Sequence, residues 1–187
     1  MRRAVIALVM CVAACSDGAT SVTPTTSVSS RLPTTTPFAT LPCSGDQAAP
    51  PANFTVYFDA IALPASDTYP NALQTSSSGP DPSTRLWAKT GLWYRPDVAF
   101  EIVVPDQSKG RLAVGWGGAP SSPNPGVVHV ACPNAPRNWV VLAGGYWASQ
   151  TMCATVIVRV GDKQQQAHIG LGLPCPGQGP PGGPSDT

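Results

Sequence analysis

An antiparallel β-sandwich of immunoglobulin-like type, stapled by disulfides, is the fold class this sequence predicts. Three observations predict it: short stretches of alternating apolar and polar residues recur about every ten residues, turn-forming residues fall between them, and no helical period of any length interrupts them. Composition agrees. Charged residues make up 11% of the chain, against about 25% in an ordinary globular protein, while 22 Pro and 18 Gly favour loops and turns over helices. A small barrel is the alternative closure.

Taken in order, Phe54 to Asp59 alternates, and so do Val98 to Val104, Leu112 to Trp116, Val127 to Cys132, Trp139 to Leu142 and Met152 to Val160. Each is a strand with one face turned to a core. Leu86 to Lys89, Leu92 to Tyr94 and Ala167 to Leu173 are shorter candidates. Arg95-Pro96-Asp97, Pro105-Asp106 and Gly161-Asp162 supply turns, and the last is placed so that Val160 and Lys163 close a two-residue hairpin. The stretch from Asp67 to Ser83, holding three prolines among Ser and Thr, predicts a long surface loop. Gly115-Trp116-Gly117-Gly118 lacks the Lys-Ser/Thr of a phosphate loop and predicts a strand running into a turn. Trp116, in phase with Leu112 and Val114, belongs in the core, with Trp139 as a second candidate.

The N-terminus carries a different signal. Arg2 and Arg3 precede the apolar run Ala4 to Ala14, which is too short for the roughly 20 residues that span a bilayer and ends in two small residues before Cys15. This is the pattern of a secretory signal peptide over residues 1–14. Val12-Ala13-Ala14-Cys15 resembles the lipobox of bacterial lipoprotein precursors, with Val12 in place of the usual Leu. The resemblance implies export and a diacylglyceryl group on Cys15, with a further acyl chain such as palmitate. It also implies residence on the outer face of the cell membrane, since two or more chains hold stably where one does not. No cofactor is expected beyond that covalent lipid. Residues 15–42 then form a tether: Ser16 to Pro42 contains eight Thr, five Ser and four Pro, with Asp17 and Arg31 its sole charges, too little apolar surface to build a core. Such a segment is also a plausible acceptor of O-glycans. Residues 43–175 are left as the β-domain, and 176–187 as a disordered Pro/Gly tail.

Four cysteines remain once Cys11 leaves with the signal peptide and Cys15 is lipidated: Cys43, Cys132, Cys153 and Cys175. An even count outside the cytoplasm predicts two disulfides. Of the three pairings, Cys132–Cys153 nested inside Cys43–Cys175 is favoured, because the outer bond would join the two ends of the domain. No Cys-x-x-Cys exists, which argues against a zinc or redox centre.

The chain offers little chemistry. Without its two leading arginines it is close to neutral, and no basic patch exists to meet nucleic acid. Serine lacks a Gly-x-Ser-x-Gly elbow or a Ser-x-x-Lys motif. His129 and His168 each lie within a strand pattern, expected on a solvated face; a metal or acid/base pairing between them would require a shared face and adjacent strands. Aromatic enrichment is what remains, because all five tryptophans fall between residues 87 and 147. Trp93-Tyr94 and Tyr146-Trp147 are adjacent pairs, so in extended strands one member of each turns outward, and all four are candidate binding residues for a sugar ring or a partner protein.

The segment from Trp139 to Gly177, with Trp-Val-Val-Leu-Ala-Gly-Gly-Tyr-Trp, Cys153, a hairpin and Leu173-Pro174-Cys175-Pro176-Gly177, resembles the C-terminal part of small uncharacterised secreted or lipid-anchored actinobacterial proteins. That resemblance implies an envelope setting and a disulfide-bearing β domain, with no activity attached. The expected function is a non-catalytic envelope lipoprotein whose β domain binds a cell-wall glycan or an envelope protein. The alternatives are an envelope hydrolase or metal-dependent enzyme using His129, His168 and acids, and a purely structural envelope component.

Overall fold

The computed structural model describes residues 38–118, 122–135 and 137–182. The expected signal peptide at 1–14, Cys15, the expected tether up to residue 37 and the part of the expected tail after residue 182 lie outside the described residues. Among the described residues twelve strands form two packed sheets: β1 (Ala39–Thr40), β2 (Asp46–Gln47), β3 (Thr55–Tyr57), β4 (Ile61–Leu63), β5 (Ser76–Ser77), β6 (Leu86–Tyr94), β7 (Phe100–Val103), β8 (Leu112–Trp116), β9 (Gly126–His129), β10 (Val140–Ala148), β11 (Met152–Val160) and β12 (Lys163–Leu171). The five-stranded sheet runs β1-β9-β7-β11-β12. The seven-stranded sheet runs β2-β10-β6-β4-β3, with β5 beside β6 and β8 beside β10. Strand pairs are antiparallel except β1 with β9. Among the described residues no helix is long and apolar enough to cross a membrane.

Alternation builds the core. Ala154, Val156 and Val158 of β11 face inward with Ala167, Ile169 and Leu171 of β12, against Ala88, Leu92 and Tyr94 of β6 and Leu142, Tyr146 and Ala148 of β10. Trp116 joins them, whereas Trp139 is only half-buried. The β11–β12 hairpin closes where the sequence places it: Val160 pairs with Lys163, and Gly161 takes φ +55 at the first turn position, which a residue with a Cβ adopts poorly.

Several expectations change. Leu86 to Tyr94 is one strand rather than two, because Gly91 continues the ladder instead of breaking it. Phe58 and Asp59 leave the predicted strand as consecutive left-handed residues, φ 53 and 54, in a turn closed by the Ala60 amide donating to the Tyr57 carbonyl. That conformation costs roughly 1–2 kcal/mol per residue with a side chain, and it is offset by Phe58 packing on the core and by the Arg95 guanidinium, 2.7 Å from the Asp59 carboxylate. The turn launches β4, which the sequence pattern had not revealed.

The predicted loop from Asp67 to Ser83 is stitched down. Leu73 bridges Leu171, Asn71 bridges Gly179, and Ser76–Ser77 pair with β6, leaving Ala72 and Leu73 buried. The packed body also extends past 43–175: Leu41 is in the core, and Gln178 and Gly179 hydrogen-bond to the 69–72 segment.

The disulfides are Cys43–Cys132 and Cys153–Cys175, which corrects the nested pairing. Strand neighbourhood decides this. β1 runs parallel beside β9, so the residues that follow each, Cys43 and Cys132, leave at the same end with Cα atoms 5.8 Å apart. The start of β11 pairs with the end of β12, which brings Cys153 and Cys175 to a Cα separation of 4.9 Å.

Candidate functional site

The outward face of the seven-stranded sheet carries the aromatic residues. Since Ala88, Leu92 and Tyr94 point to the core, Trp87, Lys89, Gly91 and Trp93 of β6 point away from it. The same parity turns Val141, Ala143, Gly145 and Trp147 of β10 and Ala113 and Gly115 of β8 outward. Register lays these in rows: Trp87 opposite Trp147, Lys89 opposite Gly145, Gly91 opposite Ala143, and Trp93 opposite Val141.

Glycine lets the indoles lie down. A Cβ on Gly145 would stand 3.1 Å from the Trp87 ring, one on Gly91 2.6 Å from the Trp93 ring, and one on Gly115 3.2 Å from the Trp147 ring. Each indole therefore covers a glycine across or along the ladder, in an arrangement that a larger residue would lift off the sheet. The Trp87 and Trp147 rings meet with centroids 4.2 Å apart, and Trp93 receives the edge of Phe54 at 4.9 Å, which in turn meets Tyr69 at 5.5 Å.

Against this floor stands the segment 69–76, forming a groove of about 440 Å³. Trp87 and Lys89 line its floor; Tyr69, Asn71, Gln74, Thr75 and Ser76 line its wall. The wall is held by backbone bonds from Ala72 to Gly179 and from Leu73 to Gly170, by the Gln178 amide donating to the Tyr69 and Asn71 carbonyls, and by Gln74 donating to Gly182. An aromatic surface edged by amides and hydroxyls is what a small polar ligand with one apolar face requires, and the volume is within the range of ligand sites.

The predicted binding residues divide. Trp93 and Trp147 face outward as alternation requires, but Phe54 covers the first and Trp147 is 8% exposed. Tyr94 and Tyr146 are fully buried, which removes both from the candidate surface. Tyr94 donates to the Pro42 carbonyl at 2.6 Å, and burial raises its pKa. Burial, with Tyr57 nearby, raises that of Tyr146 as well, whose hydroxyl has no partner. Trp87 and Lys89 were not anticipated. The signal was present as the i, i+2, i+4, i+6 row from Trp87 to Trp93, concealed by dividing the strand at Gly91.

Neither histidine sits as expected of a pair. His129 is buried, not solvated: its ring lies 4.8 Å from Tyr94 and 5.2 Å from Phe100, and its Nε2–H donates to the Pro96 carbonyl at 3.1 Å. His168 is exposed on the opposite face of the sheet and shares a 3.0 Å hydrogen bond with Thr155. Three strand spacings, about 14 Å, separate β9 from β12. The acid/base or metal pairing between them is therefore not formed, and among the described residues no group of three or more His, Cys, Asp or Glu side chains is arranged to hold a metal ion.

Arg95, Asp97 and Arg137 form a charged cluster. Arg95 bonds both oxygens of Asp97 at 3.1–3.2 Å, and that hydrogen bonding holds the Asp97 carboxyl below its ordinary range while Arg137 approaches at 3.8 Å. The group fastens the turn between β6 and β7. Comparison with protein-family profiles, curated proteins and solved structures finds no match for this chain.

Proposed function

We propose that this chain is an exported lipoprotein, anchored through Cys15 to the outer face of the cell membrane, whose β-sandwich is a non-catalytic module that binds a cell-wall glycan in the groove floored by Trp87. The observation that carries the reading is the juxtaposition of a flat indole with the amides of Asn71 and Gln74 and the hydroxyls of Thr75 and Ser76. Sugars offer one apolar face and a rim of hydroxyls, and this groove complements both. Protein recognition would favour a larger patch than this groove offers.

The test is tryptophan fluorescence of the lipidated chain in detergent micelles, titrated with soluble cell-wall glycan fragments and followed by sacculus pull-down. Saturable binding that Trp87→Ala removes, with the unfolding midpoint retained, supports a glycan module. Absence of binding in both assays overturns it and directs attention to cross-linking for an envelope protein. Anchoring is tested separately: metabolic labelling with a palmitate analogue should mark the wild-type chain and leave Cys15→Ala unmarked and released from the membrane.

A further inference from the structure

The glycan reading leaves the charge of the ligand open, and the groove itself specifies it. Among the described residues, Lys89 is the one cationic side chain lining the groove, no carboxylate lines it, and no ion pair engages Lys89. Its setting is uncrowded, because the residue opposite on β10 is Gly145. Lys89 is exposed and lines the groove together with Asn71 and Gln74 of its wall.

Geometry couples this charge to the aromatic floor. Trp87 and Lys89 are alternate residues on the same face of β6, so their Cα atoms are about 6.6–6.8 Å apart. A ring stacked on Trp87 therefore holds its exocyclic substituent within the sweep of a flexible four-carbon lysine stem. An anion on that substituent gains a charge-assisted hydrogen bond there and meets no carboxylate among the described residues that line the groove. A neutral sugar would leave the ammonium in water.

We propose that the groove selects a carboxylate-bearing sugar, with the ring on Trp87 and the acid group on Lys89. The proposal rests on the glycan reading and deepens it. Two sources share this chemistry: a hexuronate, whose acid is a ring carbon substituent, and a sugar whose acid is carried on a lactyl ether.

The experiment measures the lipidated chain in detergent with three probes: chitotetraose as the neutral sugar, tetragalacturonate as the uronate, and the disaccharide of N-acetylglucosamine and N-acetylmuramic acid as the lactyl ether. At low salt, at least one acidic probe should bind about fivefold to tenfold more tightly than chitotetraose, as expected for one partly exposed charge-assisted bond. That preference should shrink as salt rises. Lys89→Met, which keeps the stem, should bring the ratio of acidic to neutral affinity down to about one, with the unfolding midpoint retained. Which acidic probe shows the preference identifies the source. Equal affinity for all three probes, or a preference that survives Lys89→Met, overturns the charge inference while the glycan reading stands. Failure of every probe to bind overturns both.

Discussion

The two outer faces of the sandwich solve the same problem differently. On the five-stranded sheet, Glu101 and Arg159 pair at 3.3 Å, Thr155 shares a hydrogen bond with His168, and Gln164 and Gln166 stand in solvent. Polar groups there are paired locally or by water, as on most solvated antiparallel faces. On the seven-stranded sheet three indoles lie over three glycines and a polypeptide wall rises beside them. Glycine in a strand sacrifices stability, since it packs nothing and has more conformational freedom to lose. A face that accepts that cost three times gains flatness and close approach in return. The contrast teaches that the aromatic content of this chain is organised by its glycines rather than by its tryptophans alone.

Removing the covalent ties should have the largest effect on both faces. The Cys43–Cys132 bond, closing 89 residues, pins the strap that gives β1 to one sheet and β2 to the other. In the loop-entropy picture it contributes about 4.6 kcal/mol, against about 3.4 for the 22-residue Cys153–Cys175 loop. Urea melts of the two Cys→Ser pairs should rank them in that order. The reverse ranking would show that the strap is held mainly by its non-covalent contacts.

Next comes the glycine floor itself. Gly145→Ala places a Cβ 2.0 Å from the Ala88 carbonyl oxygen, and overpacking of this kind costs about 1–3 kcal/mol. Tryptophan emission should change with it, because the Trp87 ring must move. Gln166→Ala on the other sheet should stay within about 0.5 kcal/mol. Equal effects on the two sheets would remove the distinction between the faces.

Alkaline stability probes the core between the faces. Burial, with Asp67 adding, pushes Tyr57 up to about 12, and burial raises Tyr146 as well. A group whose folded pKa lies above its unfolded value near 10 stabilises fully below that pH, and the contribution is lost as pH climbs toward the folded value. Denaturant midpoints should therefore fall from pH 10 to 12, and Tyr146→Phe should shallow the fall. The same variant should be neutral or stabilising at pH 7, because it deletes a buried hydroxyl that has no partner.

The smallest effect belongs to the solvated face. Glu101→Gln should cost under about 1 kcal/mol, and less as salt rises, because both partners of that pair are about two-fifths exposed. A larger, salt-independent loss would mean that this face is also engaged in packing.

Much of the architecture was legible along the chain because strand alternation and turn chemistry are local. β8 and β11 fall on the predicted residues, the Gly161-Asp162 hairpin closes as expected, and Trp116 is in the core. β4 escaped notice because Ile61-Ala62-Leu63 is apolar throughout, which hides a period of two. The candidate surface was half legible. Alternation correctly turned one member of each aromatic pair outward, yet it could not say which, nor that Phe54 would cover Trp93 or that the 69–76 segment would wall Trp87 into a groove.

By itself the sequence determined what depends on neighbours in the chain: an all-β domain, four cysteines available for two bonds, and the opposite facing of successive residues in a strand. Tertiary structure alone decided what depends on strand order. The parallel seating of β1 beside β9 chose the cysteine partners, the burial of β9 between β1 and β7 enclosed His129, and the register of β6 against β10 set each indole over its glycine. The reason is physical: alternation is fixed by the geometry of one extended strand, whereas pairing joins residues far apart in sequence and is selected by the packing of the whole core.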